Sequence, residues 1–433
     1  MRGSSKAIDG TAQIARGAMS QERSRRHRLR ATIARSARSR SFRWWFPVAA
    51  FGLIRAFDAL IIILASHDQM ALTSGSNPGM FVYQDLPPDP GYFGVIINWD
   101  GQWYEYIAAE GYPGAGAAGT ATGSNPDPYW AWAFPPLFPM AVRAVMLMSG
   151  LSMPVAATAL NLLFGAAAMI VFYRLVERTG GVALGVSAVL LTSCFIGAPI
   201  LQMAYSESLA LLLLVSTLWA IEGRHYLSAA SLTALLAFTR LITVPLTVVC
   251  ALLFASIAWR RGARLSRRDA LGLAAVGVIG IVGIWLWSGM AAHLQSTSAA
   301  ASKRTSSGSM LNLGWFGHSV RDGNWPFAVT LAILVLILFA ISRNRWTDDW
   351  PHTLRSWLWV YPTFLLAATG MSGGILRYLA LCPSVALLPA ASRGIFTPRN
   401  RVLVVTAACV LGLALQVYYI DKFLVVSPGT FMP

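Results

Sequence analysis

Long apolar segments recur along most of this chain, and they restrict its fold more than any other feature. Each runs for roughly 17–23 residues, the length that crosses the hydrocarbon core of a bilayer as an α-helix. Segments such as 209–220 lack the alternation of apolar and polar residues found in the strands of a membrane barrel. Because 56% of the residues are hydrophobic and only 12% are charged, we expect an all-α polytopic membrane protein.

The cysteines agree with this class of protein. All four lie in apolar segments, whereas a disulfide would be expected in the polar loops. We therefore predict that they are packed, free thiols. They are Cys194, Cys250, Cys382 and Cys409.

The formal charge of +16 is concentrated at the N-terminus. Residues 1–43 contain twelve Lys and Arg residues against only Asp9 and Glu22, and they have no apolar periodicity. This composition predicts a disordered basic tail held near anionic cytoplasmic lipid. A nucleic-acid partner is not expected. A cleaved signal peptide is not expected either, since the first apolar run starts near Trp44 and no small-residue cleavage site follows it.

Basic loops predict the orientation of the chain. The positive-inside rule places the N-terminus and the arginine-rich loops in the cytoplasm, and the other loops outside. Eleven spans satisfy this arrangement. The basic loops lie near 174–178, 222–225, 260–268, 343–355 and 393–401. The spans lie near 44–66, 154–176, 181–199, 204–222, 226–239, 243–258, 270–292, 326–342, 354–370, 376–391 and 402–425.

The segment 134–150 is predicted to lie in the outer membrane surface instead of crossing it. It has three prolines and Arg143 in a short apolar stretch, and an additional span here would move every later basic loop outside. Residues 44–425 then form one transmembrane domain with two long external loops, 67–153 and 293–325, and an external C-terminal tail, 426–433. No internal repeat links the two halves, which counts against inverted-repeat transporters.

Five short motifs follow one another along the chain. Read together they resemble the motif series of the PIG-V-like mannosyltransferases, which belong to the GT-C glycosyltransferases. The resemblance covers about residues 44–392. The motifs are Asn98-Trp-Asp-Gly-Gln-Trp-Tyr104 with Gly111-Tyr112, Phe134-Pro-Pro-Leu-Phe-Pro139, Ala204-Tyr-Ser-Glu-Ser-Leu209, Phe238-Thr-Arg240 and Leu376-Arg-Tyr-Leu379. Two positions depart from the family pattern: Leu241 stands where a proline is common, and Pro135 where a phenylalanine is common.

The resemblance implies a GT-C-like helix bundle and a specific reaction. Mannose would pass from a polyprenyl-phosphate-mannose donor to a glycolipid or glycan acceptor at the external face of the plasma membrane. A GT-C enzyme using polyprenyl-phosphate arabinofuranose or glucose remains an alternative. A lipid or solute transporter is the alternative from another class, but a transporter should keep ionisable residues near mid-membrane.

Transfer from a lipid phosphate requires a base for the acceptor hydroxyl and positive groups for the departing phosphate. Because phosphate leaves as a stable anion, one carboxylate suffices, whereas a glycosidase needs a second to protonate its leaving group. Asp100 is the expected base, with inversion at the anomeric carbon. Its alternative role is to cap a loop helix that starts near Gly101.

The remaining candidates are charged or aromatic residues near the external surface. Arg377, Arg240 and His318 are expected to bind the donor phosphate, although both arginines could extend to lipid headgroups and His318 could be an ordinary loop residue. Glu207 would pair with Arg240 or bind sugar hydroxyls. The other predicted substrate-binding residues are Trp99, Tyr104 and Tyr378.

Two further expectations concern structure and metal. Arg55 and Asp58, three residues apart in the first span, should pair with each other and orient that helix. The carboxylates Asp85, Asp89, Asp100 and Asp127 have no recognisable ligand spacing, so no required metal or other cofactor is expected.

Overall fold

The computed structural model describes residues 41–74, 80–113, 128–259, 266–295, 325–369, 374–391, 397–428 and 430. Within these ranges the regular structure is helical, and the β structure is one isolated bridge between Leu72 and Leu86. The chain divides into two compact units, Met1–Phe46 and Pro47–Pro433. The site described below lies in the second. The predicted basic tail lies almost entirely outside the described residues.

The α-helices are numbered in chain order. They are α1 (Phe42–Ala65), α2 (Gly91–Val95), α3 (Asp100–Glu110), α4 (Leu137–Ser149), α5 (Met153–Ser193), α6 (Glu207–Glu222), α7 (Tyr226–Ala237), α8 (Val244–Trp259), α9 (Arg267–Gln295), α10 (Trp325–Arg343), α11 (His352–Thr369), α12 (Ile375–Leu379), α13 (Pro383–Ala386) and α14 (Pro398–Tyr419).

Several helices have the character of membrane spans. Within the described residues, four helical segments are long and apolar enough to cross a bilayer: Phe42–Asp68, Met153–Ser193, Arg267–Ala291 and Pro398–Leu424. Many large apolar side chains on them face outward, including Leu53, Leu163 and Val410. Such outward apolar surface suits lipid and not water, so the all-α membrane class is confirmed.

The predicted spans differ from the helices in two places. The spans 154–176 and 181–199 fall largely in α5, which is interrupted at Gly181, a glycine with a φ of 75°. The span 376–391 is not one continuous helix, and that prediction is wrong. It consists of α12, α13 and a 3₁₀ turn, Leu388–Ala390, because Pro383 and Pro389 cannot donate the hydrogen bonds that would continue a helix.

The predicted pairing of Arg55 with Asp58 is confirmed. Arg55 Nη2 lies 2.8 Å from Asp58 Oδ2, and both side chains are buried. The guanidinium also donates to the backbone carbonyl of Ser193 at 2.8 Å and to that of Ala198. Since Ser193 ends α5, Arg55 satisfies a carbonyl that has no partner within its own helix. The pair thereby ties α1 to the end of α5.

The predicted first external loop, 67–153, contains the helices α2, α3 and α4. Leu147 and Met148 of α4 are exposed, whereas Phe138 and Val142 are buried, so α4 packs at one end and presents apolar surface at the other. The second predicted external loop, 293–325, lies almost entirely outside the described residues.

The end of the chain packs against the first loop. Met70 N donates to Val426 O at 3.0 Å, and Asn98 Nδ2 donates to Leu424 O at 2.8 Å. Gln69 and Asn98 also exchange side-chain hydrogen bonds, of 2.8 and 3.2 Å. These bonds fix the residues immediately before Asp100 to the C-terminal segment.

Candidate functional site

Four charged side chains from four separate segments form one cluster. Asp100 begins α3, Glu207 begins α6, Arg240 follows α7, and Arg377 lies in α12. Arg377 Nη2 lies 2.5 Å from Asp100 Oδ2, and Arg240 Nη1 lies 2.7 Å from Glu207 Oε1. Arg377 Nε also donates to Glu207 Oε1. The cluster therefore alternates in charge, with Glu207 between the two arginines and Asp100 at one end.

Exposure differs sharply along this cluster. The side chain of Asp100 is 31% exposed and that of Arg377 only 2%. Arg240 is 13% exposed, and Glu207 is fully buried. A molecule arriving from outside would therefore meet the carboxylate of Asp100 first and an edge of Arg240 second, while Glu207 and Arg377 support them from within.

The backbone before Asp100 adopts an uncommon conformation. Trp99 has a φ of 57° and a ψ of −117°, a region that a residue with a side chain rarely enters. Strain of this kind persists only where the surroundings impose it, and it clusters at functional sites. Trp99 is also the N-cap of α3, and the side chain of Asp100 turns to Arg377. The capping role considered for Asp100 is therefore wrong.

Gly101 permits the close packing of this turn. A β-carbon at Gly101 would lie 3.2 Å from the Ile96 carbonyl oxygen and 3.5 Å from the ring of Tyr205. The same two segments are joined by hydrogen bonds from Ala204 N to Ile96 O, of 2.9 Å, and from Tyr205 Oη to Asn98 O, of 2.7 Å. The first and third motifs are thus held as one unit, which places Asp100 beside Glu207.

Glu207 is the link between the two arginines. Its Oε1 accepts from Arg377 and from Arg240, while its Oε2 is buried without a hydrogen bond among the described residues. A buried carboxylate is costly unless positive charge compensates it, and its place in the first turn of α6 adds a favourable interaction with the helix dipole. Of the two roles considered for Glu207, the pairing with Arg240 is observed, and the binding of sugar hydroxyls stays a prediction.

Aromatic rings cover both guanidinium groups. The Arg377 guanidinium carbon lies 4.3 Å from the centre of the Tyr205 ring and 5.7 Å from that of Tyr378, and the Arg240 carbon lies 5.3 Å from Tyr378. These cation–π contacts keep the arginines inside the bundle. Extension of Arg377 to lipid headgroups does not fit its burial. Tyr378 therefore contacts the arginines directly.

Tyr104 is buried and offers a hydroxyl instead of a ring face. Its ring packs edge-on against Phe134 and Phe138, with centroids 5.3 and 5.2 Å away, and only 2% of the residue is exposed. Its hydroxyl lies 2.8 Å from Ser206 Oγ, which also accepts from Arg240 Nη1 at 3.4 Å. Burial raises the pKa of Tyr104. Tyr104 was predicted to bind substrate, and binding by stacking of its ring on a sugar does not fit this packing.

The side chains of the other predicted site residues form no hydrogen bond with the charged cluster in the described part of the chain. Trp99 packs against the apolar cluster of Leu72, Met80, Val82 and Val426, and its indole nitrogen is buried without a hydrogen bond among the described residues. His318 lies outside the described residues. Across the described ranges, no three His, Cys, Asp or Glu side chains lie close enough together to hold a metal ion. That the protein requires no metal stays a prediction.

A carboxyl group that the sequence did not single out lies on the buried side of α3. Glu105 is 6% exposed, and its Oε2 has no hydrogen bond within the described ranges. Burial raises the pKa of Glu105 to about 7, because ionisation without compensating charge is unfavourable away from water. An ionisable residue in a short loop helix gives no sequence signal of its own burial.

Two residues of α11 support the segment that carries Arg377. Trp357 Nε1 donates to Leu381 O at 3.1 Å, and Tyr361 Oη donates to Tyr378 O at 3.1 Å. Both side chains are buried. No sequence pattern indicates this role, because the partners are backbone carbonyls and become accessible only where the predicted span 376–391 departs from a regular helix.

Comparison with protein families and curated proteins does not identify a relative with a matching site. The chain matches no protein-family model, and no curated protein is significantly similar to it. Support for the resemblance given by the motifs therefore comes from the geometry of the residues themselves.

Proposed function

We propose that this protein transfers mannose from polyprenyl-phosphate-mannose to a hydroxyl group of a glycolipid or glycan at the external face of the membrane. One observation carries the proposal. Of the five motifs behind the resemblance, four each contribute one charged side chain to a single cluster, and the fifth supplies Phe134 and Phe138 against Tyr104. The convergence of five motifs that are spread over about 280 residues supports the resemblance.

Asp100 is the base in this proposal. Its Oδ2 is held by Arg377, and its Oδ1 forms no hydrogen bond among the described residues. Oδ1 takes the proton of the acceptor hydroxyl as that oxygen attacks the anomeric carbon. The bond from that carbon to the phosphate oxygen breaks, and the polyprenyl phosphate leaves with the electron pair. Attack opposite the leaving group inverts the anomeric configuration.

The two arginines have different roles in this proposal: one orients the base and the other binds the donor phosphate. Arg377 directs Nε and Nη2, one edge of its guanidinium, to Glu207 and Asp100, so its main task is to orient the base. Arg240 uses Nη1 for Glu207 and Ser206, and its Nε and Nη2 form no hydrogen bond within the described part of the chain. Arg240 is therefore the better placed ligand for the phosphate, with the charge of Arg377 behind it.

The decisive experiment measures sugar transfer by the purified full chain in detergent. The donor is a short-chain polyprenyl-phosphate-mannose, and the acceptor is a membrane lipid extract. Asp100→Asn should lower turnover by roughly 10²–10⁴-fold, the usual contribution of a general base, while donor binding stays nearly normal. Asp85→Asn is the matched control, because Asp85 is an exposed carboxylate of the same loop, and it should transfer normally.

The same assay tests the alternatives. Near-normal transfer by Asp100→Asn would refute the mechanism. Transfer from polyprenyl-phosphate glucose or arabinofuranose, but not from the mannose donor, would keep the enzyme class and change the sugar. No transfer from any of the three donors by the wild type, together with flux of lipid or solute into proteoliposomes, would favour the transporter.

A further inference from the structure

A cavity of about 320 Å³ lies between α8, α10 and α11, apart from the charged cluster. The ends of three helices meet there: the C-terminal half of α8, the end of α10 and the beginning of α11. Its volume falls in the range of small-molecule sites. The lining residues are Leu252, Leu253, Ser256, Phe339, Ser342, Arg343, His352, Arg355, Ser356 and Trp359.

One side of the cavity is cationic. Arg343 and His352 are exposed, and neither forms an ion pair among the residues that the structure describes. Arg355 donates from Nε to Ser342 O at 2.8 Å and from Nη1 to Asp348 at 3.1 Å. These bonds hold its guanidinium in place, and its Nη2 is left without a hydrogen bond to any described residue. Asp348 offsets one charge, so the cavity keeps positive character.

The opposite side of the cavity is apolar. Phe339 and Trp359 meet edge to face with ring centroids 5.1 Å apart, beside Leu252 and Leu253 of α8. A site that is cationic at one side and aliphatic and aromatic at the other matches a molecule with an anionic head and an apolar chain.

We propose that this cavity binds one anionic phospholipid. Its phosphate lies between Arg343 and the free Nη2 of Arg355, and the start of an acyl chain lies along Phe339, Trp359 and Leu253. The sequence segments that follow α8 and precede α11, 260–268 and 343–355, are basic, so the positive-inside rule predicts that this end of the helices lies at the cytoplasmic surface. That surface carries the anionic lipids that basic pockets between membrane helices select. The site is independent of the proposed transfer reaction.

The test is lipid binding by the purified full chain in detergent, followed by native mass spectrometry. Dioctanoyl phosphatidylglycerol is titrated, with dioctanoyl phosphatidylcholine and inorganic phosphate as comparison ligands. The wild type should bind one phosphatidylglycerol in preference to both. Arg343→Gln should weaken that binding about fivefold, the effect of losing one cation near an anionic headgroup.

Two further variants separate the cavity from general surface charge. Arg345→Gln removes the same charge two residues away, from an exposed arginine that does not line the cavity, and it should bind phosphatidylglycerol like the wild type. Ser256→Trp fills the cavity without changing its charge and should weaken binding at least as much as Arg343→Gln. Equal binding of both lipids, equal losses in Arg343→Gln and Arg345→Gln, or normal binding by Ser256→Trp would each overturn the proposal.

Discussion

Arg377 and Asp100 are 277 residues apart in the chain, yet Nη2 of the arginine lies 2.5 Å from Oδ2 of the carboxylate. The arginine is almost fully buried and the aspartate is partly exposed. A charge-assisted bond of this length fixes the orientation of the carboxylate. The residue with access to solvent is therefore oriented by one that has almost none.

Substitution of the two arginines should separate orientation of the base from binding of the donor. In Arg377→Lys, one ammonium cannot reproduce the guanidinium edge that contacts Asp100 and Glu207. We expect kcat to fall by about tenfold or more while the KM for the donor stays near the wild-type value. Arg240→Gln should instead raise the donor KM by at least about tenfold, the cost of one charged hydrogen bond.

The measurement is the pair of constants kcat and KM for polyprenyl-phosphate-mannose in each variant, with Arg345→Gln as a distant control. A rise in donor KM confined to Arg377→Lys would assign the phosphate to Arg377 instead of Arg240.

Gly197 should be required for the position of Arg377. A β-carbon at Gly197 would collide with the backbone carbonyl of Leu376, which cannot yield as a flexible side chain can. Gly197→Ala should therefore lower the free energy of unfolding by roughly 1–3 kcal/mol and reduce turnover by displacing α12. The melting temperature and transfer rate are compared with those of Gly289→Ala, where a β-carbon meets no atom within 4 Å. Equal behaviour of the two variants would contradict this packing.

Glu105 should make stability depend on pH. Its pKa rises from 4.5 to about 7 on folding, so between these values the folded state binds more protons than the unfolded state. Stability then falls as pH rises from about 4.5 to about 7. The difference in the free energy of unfolding is on the order of 3 kcal/mol. The melting temperature of Glu105→Gln should change less between pH 5 and pH 8 than that of the wild type. Glu110→Gln, at an exposed position, should retain the wild-type dependence.

Labelling of single cysteines tests the predicted orientation. Gly123→Cys and Gly308→Cys fall in the two loops predicted to be external, and Arg264→Cys falls in a basic loop predicted to be cytoplasmic. In intact cells, a membrane-impermeant thiol reagent should label the first two and spare the third. The native cysteines are a small background, because three of the four are buried. Labelling of Arg264→Cys from outside would reverse the proposed sidedness of the site.

The lengths of the apolar segments and the pattern of charges were enough to predict the class of fold and the pairing of Arg55 with Asp58, and they offered the pairing of Glu207 with Arg240 as one of two alternatives. They failed where backbone hydrogen bonding determines whether an apolar segment forms a continuous helix. The segment 376–391 is as apolar as a span, but its two prolines break the helix, and Trp357 of α11 then donates to the carbonyl of Leu381, while Tyr361 adds a second hydrogen bond to the carbonyl of Tyr378. The hydropathy of a segment does not predict that side chains of another helix will donate hydrogen bonds to its backbone carbonyls.

The sequence predicted which charged residues form the candidate site better than it predicted what each of them contacts. Charged residues within apolar surroundings are conspicuous, so Asp100, Glu207, Arg240 and Arg377 were all found. The contact between Arg377 and Asp100 depends on how α12 packs against the start of α3, which no local pattern encodes. Burial of Tyr104 and Glu105 likewise follows from the packing of α3 against its neighbours, which the local sequence does not encode.

The alternating cluster of two carboxylates and two guanidinium groups is electrically balanced before any substrate arrives. In the proposed reaction, the donor would bring a phosphate diester with one negative charge, and transfer would turn it into a monoester that carries more. A balanced site holds this product less firmly than a purely cationic one would. In the proposed reaction, the pairing that orients Asp100 would therefore also favour departure of the spent lipid, so that turnover need not be limited by product trapped in the site.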